Sequence, residues 1–221
     1  MKNKLINDLN NSDNESIRLY AAQDIADTKD PELVLPMIKR LEIETSQIVR
    51  EAIVFGLENM PCDDIFEELF KLFFSTDAYL RNAAVSIFSH QKDEPITFLV
   101  LKMDNTDREV RKLIIDALFG IGTQDSCIAI RAALNDPAIN VKITAVEYLG
   151  RLEDKESADE LIALFENESE PMLRASILEA LLIIGTNEHL NKIISITAPD
   201  CDFAAIDFSY LGNSKMGCKN F

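Results

Sequence analysis

The sequence predicts an all-α protein, a right-handed α-solenoid of about six stacked helix pairs with an N-terminal capping helix and a C-terminal tail outside the repeat. Three observations predict it. An apolar residue followed by a cation recurs as Ile17-Arg18, Val49-Arg50, Leu80-Arg81, Val110-Arg111, Val141-Lys142 and Leu173-Arg174, at steps of 32, 31, 30, 31 and 32 residues. Three residues after each cation comes Ala21, Ile53, Ala84, Ile114, Ala145 or Ile177, and seven after it Ile25, Leu57, Phe88, Leu118, Leu149 or Leu181. Counted from the apolar member of each dyad, these offsets mark one helical face. Each such segment is followed, after a break, by a second helical segment. A pair of about 31 residues cannot bury both its faces alone, so the units must stack on one another.

The elements follow in order. Lys4–Leu9 reads as the second helix of an incomplete unit, suited to cap the first apolar face. Six units then occupy residues 12–43, 44–75, 76–104, 105–135, 136–167 and 168–196. Breaks within the units fall at Thr28-Lys29-Asp30-Pro31, Pro61-Cys62-Asp63-Asp64, Gln91-Lys92-Asp93, Gly120-Ile121-Gly122, Glu153-Asp154-Lys155 and Gly185-Thr186-Asn187. Asp, Asn, Gly and Pro end one helix and cap the next, and both glycines of Gly120-Ile121-Gly122 read as a stop. The second helices are expected at Glu32–Leu41, Asp64–Phe74, Pro95–Met103, Ser126–Leu134, Ser157–Phe165 and Glu188–Ile196. Pro31, Pro137 and Pro171 suit a first helical turn, which needs no amide donor. Pro36 either bends its helix or marks a later start.

Composition narrows the function classes. The chain has 221 residues, 47% of them hydrophobic, enough for a substantial core. Against 22 basic residues stand 38 acidic ones, a formal charge of −16 that would repel a phosphate backbone over most of the surface. Nucleic acid is not expected as a ligand. The opening MKNKLINDLNNSDNE has no apolar signal core, and no run approaches the roughly 20 apolar residues of a membrane span. The expectation is a cytoplasmic protein with no membrane partner. Cys62, Cys127, Cys201 and Cys218 are widely spaced with no C-x-x-C, so reduced thiols are expected and neither a disulfide framework nor a zinc pair.

The stretches NTDREVRKLIIDALFGIG, NDPAINVKITAVEYLGRLED and SEPMLRASILEALLIIG, with DPELVLPMIKRLE for a second helix, resemble the short HEAT-like repeat of bacterial proteins and of the phycobiliprotein lyase family. The resemblance covers residues 12–196. The tetratricopeptide and ankyrin alternatives lack their signature residues here. In HEAT-like families the corresponding Arg and Asp form a ladder between repeats. The resemblance therefore assigns Arg18, Arg50, Arg81, Arg111, Lys142 and Arg174, with Asp77, Asp107 and Glu170, to a structural ladder. In Asp77/Arg81, Asp107/Arg111 and Glu170/Arg174 the acid precedes the cation by four residues, within helical reach. Lys142 and the non-acidic Ala138 predict a weaker rung in the fifth unit.

Catalytic readings find little to stand on. The di-iron HEAT-like hydroxylases use repeated His-Glu dipeptides, whereas this chain has only His90, followed by Gln91, and His189, preceded by Glu188. A HEAT-like DNA glycosylase needs a basic surface, and no phosphate loop or catalytic triad is apparent. No catalytic residue, metal site or cofactor is expected. The lyase resemblance implies an alternative, a phycobilin lyase or lyase subunit acting on a tetrapyrrole-bearing protein. A further alternative is an inhibitor or immunity protein for a basic partner.

The favoured expectation is a non-catalytic scaffold or adaptor that binds a protein or peptide with a basic rim on its concave face. With Ile38/Leu41, Leu69/Leu72, Val100/Met103 and Leu161/Leu164 taken as core pairs, the next positions include Phe70, Leu101 and Ile162. These would form an apolar stripe, flanked by Arg40, Lys71, Lys102 and Arg131. The competing reading packs Phe70, Leu101 and Ile162 against neighbouring helices. Residues 197–221, with Phe203, Ile206, Phe208, Tyr210 and Leu211, are expected to cap the last unit or to dock elsewhere as a peptide.

Overall fold

A computed structural model describes residues 1–62 and 65–197. The tail of residues 198–221, and with it both readings of that tail, lies outside the described residues. Every regular element among those described is helical. The chain forms two compact units, Met1–Ser126 and one that begins at Cys127.

In the first unit, α1 (Lys2–Asn11) packs on α2 (Glu15–Thr28) and α3 (Val34–Ile43). Leu9 is fully buried there, as a capping helix requires. The first helices of successive pairs are α2, α4 (Gln47–Glu58), α6 (Ala78–His90) and α8 (Arg108–Ile121), and each packs on the next. Their second helices are α3, α5 (Phe66–Lys71) and α7 (Ile96–Leu101). Helix α9 (Gln124–Ala132) runs across the boundary in the sequence between the units. In the second unit α10 (Ile139–Arg151) packs on α12 (Pro171–Ile184), and α11 (Ala158–Asn167) on α13 (Asn187–Thr197). Each unit is thus an all-α solenoid stack of helix pairs.

The repeat columns are the core. All twelve residues three and seven places after the dyad cations are at most 3% exposed. Small and large side chains alternate in the first column, from Ala21 to Ile177. A second seam runs closer to the helix axes. Gly56 of α4 lies against Ala26 of α2, Gly120 of α8 against Ser89 of α6, and Gly150 of α10 against Ala180 of α12.

Local chemistry explains most helix ends. Asn14, Asp77, Asp107 and Glu170 accept hydrogen bonds from amides two residues on and cap α2, α6, α8 and α12. Gly122, at φ 67°, ends α8 in the left-handed region. Gly120 does not share that role. It lies inside α8, where a Cβ would meet the Ser89 Cβ at 2.6 Å, so it is a packing glycine rather than part of a stop. Pro36 marks a later start, because a 3-10 turn over Pro31–Leu33 precedes an α-helix that begins only at Val34. Pro171 is the first residue of α12, whereas Pro137 lies outside α10, which begins at Ile139.

Candidate functional site

The dyad cation opposes the dipole of its own helix, and the structure shows what it serves instead. In Arg18, Arg50, Arg81, Arg111 and Arg174 the guanidinium donates to the carbonyl six residues back, respectively Ser12, Glu44, Ser75, Asn105 and Glu168, at 2.5–3.0 Å. Ser12, Glu44, Ser75 and Glu168 are the residues that end the preceding second helix. Arg18, Arg50, Arg81 and Arg174 therefore sit at the negative end of the helix before their own. A planar guanidinium with five donors can also turn to a carboxylate, as Arg18 and Arg50 show. Arg18 pairs with Glu44 at 2.8 Å and Arg50 with Asp77 at 3.0 Å, which are rungs between consecutive units. Lys142 pairs with Glu168 of the following unit.

The expected ion pairs within one helix are corrected in two cases. Asp77 caps α6 and turns to Arg50 rather than Arg81. Glu170 caps α12, while Arg174 goes to the Phe165 and Glu168 carbonyls with its guanidinium over the Phe165 ring at 3.7 Å. An acid at the cap is engaged by its own helix amides and is no longer free to fold towards residue i+4.

Glu44, which sequence reasoning did not single out, is the centre of the first unit's polar network. Its fully buried carboxylate accepts from Arg18, Arg40 and the amides of Thr45 and Ser46, all at 2.8–3.0 Å. Burial alone would raise its carboxyl, but the bonds from Arg18, Ser46 and Arg40 outweigh burial and hold it down at about 2. Asp154 plays the matching part in the second unit, gripping Arg131 through bonds of 2.6 and 2.7 Å, and Glu156 adds a third at 3.0 Å. Those bonds, Asp154 first, raise the Arg131 guanidinium further above its ordinary value. Among the described residues no buried side-chain nitrogen or oxygen lacks a hydrogen-bond partner. The signal that could have found Glu44 was its spacing, four residues after Arg40 and 26 after Arg18.

These contacts revise the expected apolar stripe. Phe70 and Ile162 are 5% and 1% exposed and belong to the core, because α5 buries Phe66, Leu69 and Phe70 while α11 buries Ala158, Leu161, Ile162 and Phe165. The register assumed for α7 is one position out: Ile96 and Leu99 are its core residues, and Val100 is 43% exposed. Arg40 and Arg131 do not flank a groove as free cations, being held by Glu44 and by Asp154 and Glu156. Leu101 is 71% exposed, and Lys71, also exposed, pairs with Glu68 on its own helix.

What remains at the surface of α5 and α7 is compact. Phe70 contacts the rings of Phe74 and Phe98 at 5.6 and 5.8 Å, and Phe74 is 54% exposed. Lys102 lies over the Phe70 and Phe98 rings, at 5.5 and 5.0 Å, and pairs with Glu67 at 2.7 Å. Leu101 follows Phe98 by three residues, on the same helical face. An aromatic cluster thus reaches the surface between Phe74 and Leu101 with a cation at its edge. Elsewhere, Cys62 and Cys127 are buried thiols, and burial pushes the Cys127 thiol up. Among the described residues no group of three or more His, Cys, Asp or Glu is placed to hold a metal ion, and no helix is long and apolar enough to cross a membrane.

Residues 96–182 match the family model described as HEAT repeats. No curated protein matches the chain. Among solved structures, the complex of CpcE and CpcF of phycocyanin lyase from Nostoc sp. PCC7120 is similar at 19% identity and a TM-score of 0.42, over 97% of this chain and 94% of that one. An engineered protein is similar at 19% identity and a TM-score of 0.38, over 85% and 95%. A designed armadillo repeat protein is similar at 15% identity and a TM-score of 0.34, over 80% and 97%. The stretch matched by the family model carries the dyads of Arg111, Lys142 and Arg174, and the units before it repeat the same helix pair with the same carbonyl contacts, so they are similar to the HEAT repeats matched at residues 96–182.

Proposed function

We propose that this protein is a non-catalytic scaffold that binds a protein or peptide partner through the surface of α5 and α7. The observation that carries the reading is the exposed end of the phenylalanine cluster, where Phe74 and Leu101 stand in solvent beside Lys102. A stack of helix pairs holds such a patch rigidly, so little ordering cost opposes binding. Aromatic and aliphatic anchors beside a cation suit the centre of an interface. The chain's charge of −16 favours a partner with a basic rim. Phe70 supports the patch from beneath, and Lys71 and Lys102, each already paired with a glutamate, orient the edge.

The test is capture from the source cell's lysate, comparing the intact chain with a Leu101→Glu, Phe74→Ser variant that circular dichroism finds folded. A protein retained by the first and lost by the second is expected. The same protein retained by both would overturn the assignment of this surface.

A further inference from the structure

The first helices of the first unit leave a different surface open, with its own chemistry. On α4, Ile48, Glu51, Ala52 and Phe55 follow one another at offsets of three, four and seven, so they share a face. That face is turned away from the core, which takes Val49, Ile53, Gly56 and Leu57. Ile48 is 50% and Phe55 67% exposed. Across from them α2 contributes Leu19, Gln23, Ala26 and Asp27, and the eight residues enclose a trough of about 320 Å³. Its floor is low because Gly56 lets α4 approach Ala26 closely, and because Ala26 and Ala52 have little side chain to fill it.

The charges of the trough have one sign. Asp27 and Glu51 line it, and neither Lys nor Arg does. Gln47 donates to Glu51 at 2.8 Å and holds that carboxylate at the rim. The dyad cations of these two helices are engaged elsewhere, Arg18 with Glu44 and Arg50 with Asp77 and the Glu44 carbonyl. The second unit carries a comparable trough of about 240 Å³ between α10 and α12. There Gly150 and Ala180 lie near Ile183, which is 55% exposed, but Arg151 lines it along with Glu147 and Glu179, so its charges are of both signs and, of the two, only the trough between α2 and α4 is purely acidic.

We infer that the trough between α2 and α4 docks an amphipathic helix whose apolar stripe is bordered by Lys or Arg. The apolar floor and the Ile48 and Phe55 rims would take alternate-turn aliphatic side chains of the incoming helix. Asp27 and Glu51, one on each wall, meet its flanking cations. A second copy of this chain is disfavoured as the occupant, since each brings a charge of −16. Ile48 and Phe55 are seven residues apart, about 10 Å along α4, so two turns of the occupant span the rims. This surface is separate from the patch on α5 and α7, and the two stand or fall independently.

The experiment titrates the full chain with a synthetic 18-residue peptide that carries Leu at helix-face spacing and Lys elsewhere. A peptide of the same composition, scrambled to lose its apolar face, is the control. Fluorescence anisotropy reads affinity, and hydrogen exchange reads the site. The amphipathic peptide is expected to bind at least tenfold more tightly than the scrambled one and to slow exchange in α2 and α4. Ile48→Ser with Phe55→Ser, and separately Asp27→Lys with Glu51→Lys, are each expected to weaken binding at least tenfold, while Leu101→Glu leaves it unchanged. The second pair changes only exposed rim charges, so it decides the matter if the first pair unfolds the protein. Absence of binding, equal binding of the scrambled peptide, protection confined to other helices, or variants that titrate like the parent would each overturn the inference.

Discussion

The Cβ that Gly56 lacks would stand 2.9 Å from the Cβ of Ala26 and 2.7 Å from the Cε of Met37. Helices α2 and α4 are therefore in contact at this point to within the width of a methyl group. Replacing glycine by alanine in a helix gains about 1 kcal/mol of intrinsic propensity, whereas overpacking a tight core costs roughly 1–3 kcal/mol. Met37 ends in a flexible methyl and can give way, but Ala26 is fixed to its helix. Gly56→Ala is expected to lose about 1 kcal/mol net, and Gly56→Val considerably more, as measured by urea unfolding.

Glu44 makes the first unit sensitive to acid. Its carboxyl is held at about 2 in the folded protein against an ordinary 4.5, so the native state keeps it ionised where the unfolded chain begins to protonate it. The stabilisation is complete above pH 4.5 and is lost as the pH falls towards 2. At about 1.4 kcal/mol per unit, the loss is on the order of 3 kcal/mol. Glu44→Gln is expected to remove that part of the pH dependence. It should also cost roughly 3–5 kcal/mol at neutral pH, because the Arg18 and Arg40 guanidiniums would lose their carboxylate. Urea midpoints for both proteins between pH 7 and pH 3 give the comparison.

The residues that were legible in the sequence are those fixed by repetition. Ile25, Leu57, Phe88, Leu118, Leu149 and Leu181 recur in phase and are all fully buried, since a column that packs unit on unit must reappear at each period. The dyad arginines were legible as a column but not as carbonyl ligands, because their partner is backbone six residues back and leaves no side-chain signal. The second helices were legible only as segments. In α7 just six residues are helical, too few for a periodicity to fix its register, so the sequence does not separate the exposed Val100 and Leu101 from the core residues Ile96 and Leu99. Glu44 is hidden because its column, six residues before each dyad cation, holds Ser12, Ser75, Asn105, Asp136 and Glu168 at the other units, so no residue type recurs there to mark it. The burial of Glu44 and of Asp154 depends on arginines 26 and 23 residues away. The trough between α2 and α4 is hidden for the opposite reason: Ile48 and Phe55 lie on the face that repetition marks as outward, and nothing in the period distinguishes an apolar residue there.

Lys142 is the one dyad cation that is not arginine. It reaches Glu168 of the following unit, as Arg18 reaches Glu44, but an ammonium lacks the planar, preorganised fork with which a guanidinium addresses a carbonyl and a carboxylate at once. Lys142→Arg is expected to add a bond to the carbonyl of residue 136 while retaining Glu168. The gain should be about 0.5–1 kcal/mol, the net contribution of one hydrogen bond. The reverse change, Arg50→Lys, should lose a similar amount by removing the bond to the Glu44 carbonyl. Chemical denaturation of the two variants, each against the parent, provides a matched test of what the guanidinium contributes at this position.

Phe70 and Leu101 separate stability from recognition on the same patch. The Phe70 ring is 5% exposed and lies 5.2–5.8 Å from the rings of Phe73, Phe74 and Phe98. Its loss removes large apolar area and several ring contacts at once, so Phe70→Ala is expected to cost roughly 3–5 kcal/mol. Leu101 is 71% exposed, and Leu101→Ala should shift stability by less than about 0.5 kcal/mol. Differential scanning calorimetry of the two single variants checks both numbers. If Leu101→Ala proves as destabilising as Phe70→Ala, the side chain is part of the core and the patch on α5 and α7 has no exposed anchor. A small effect on stability makes any loss of partner capture by a Leu101 variant a property of the surface, since the helix pair beneath it is intact.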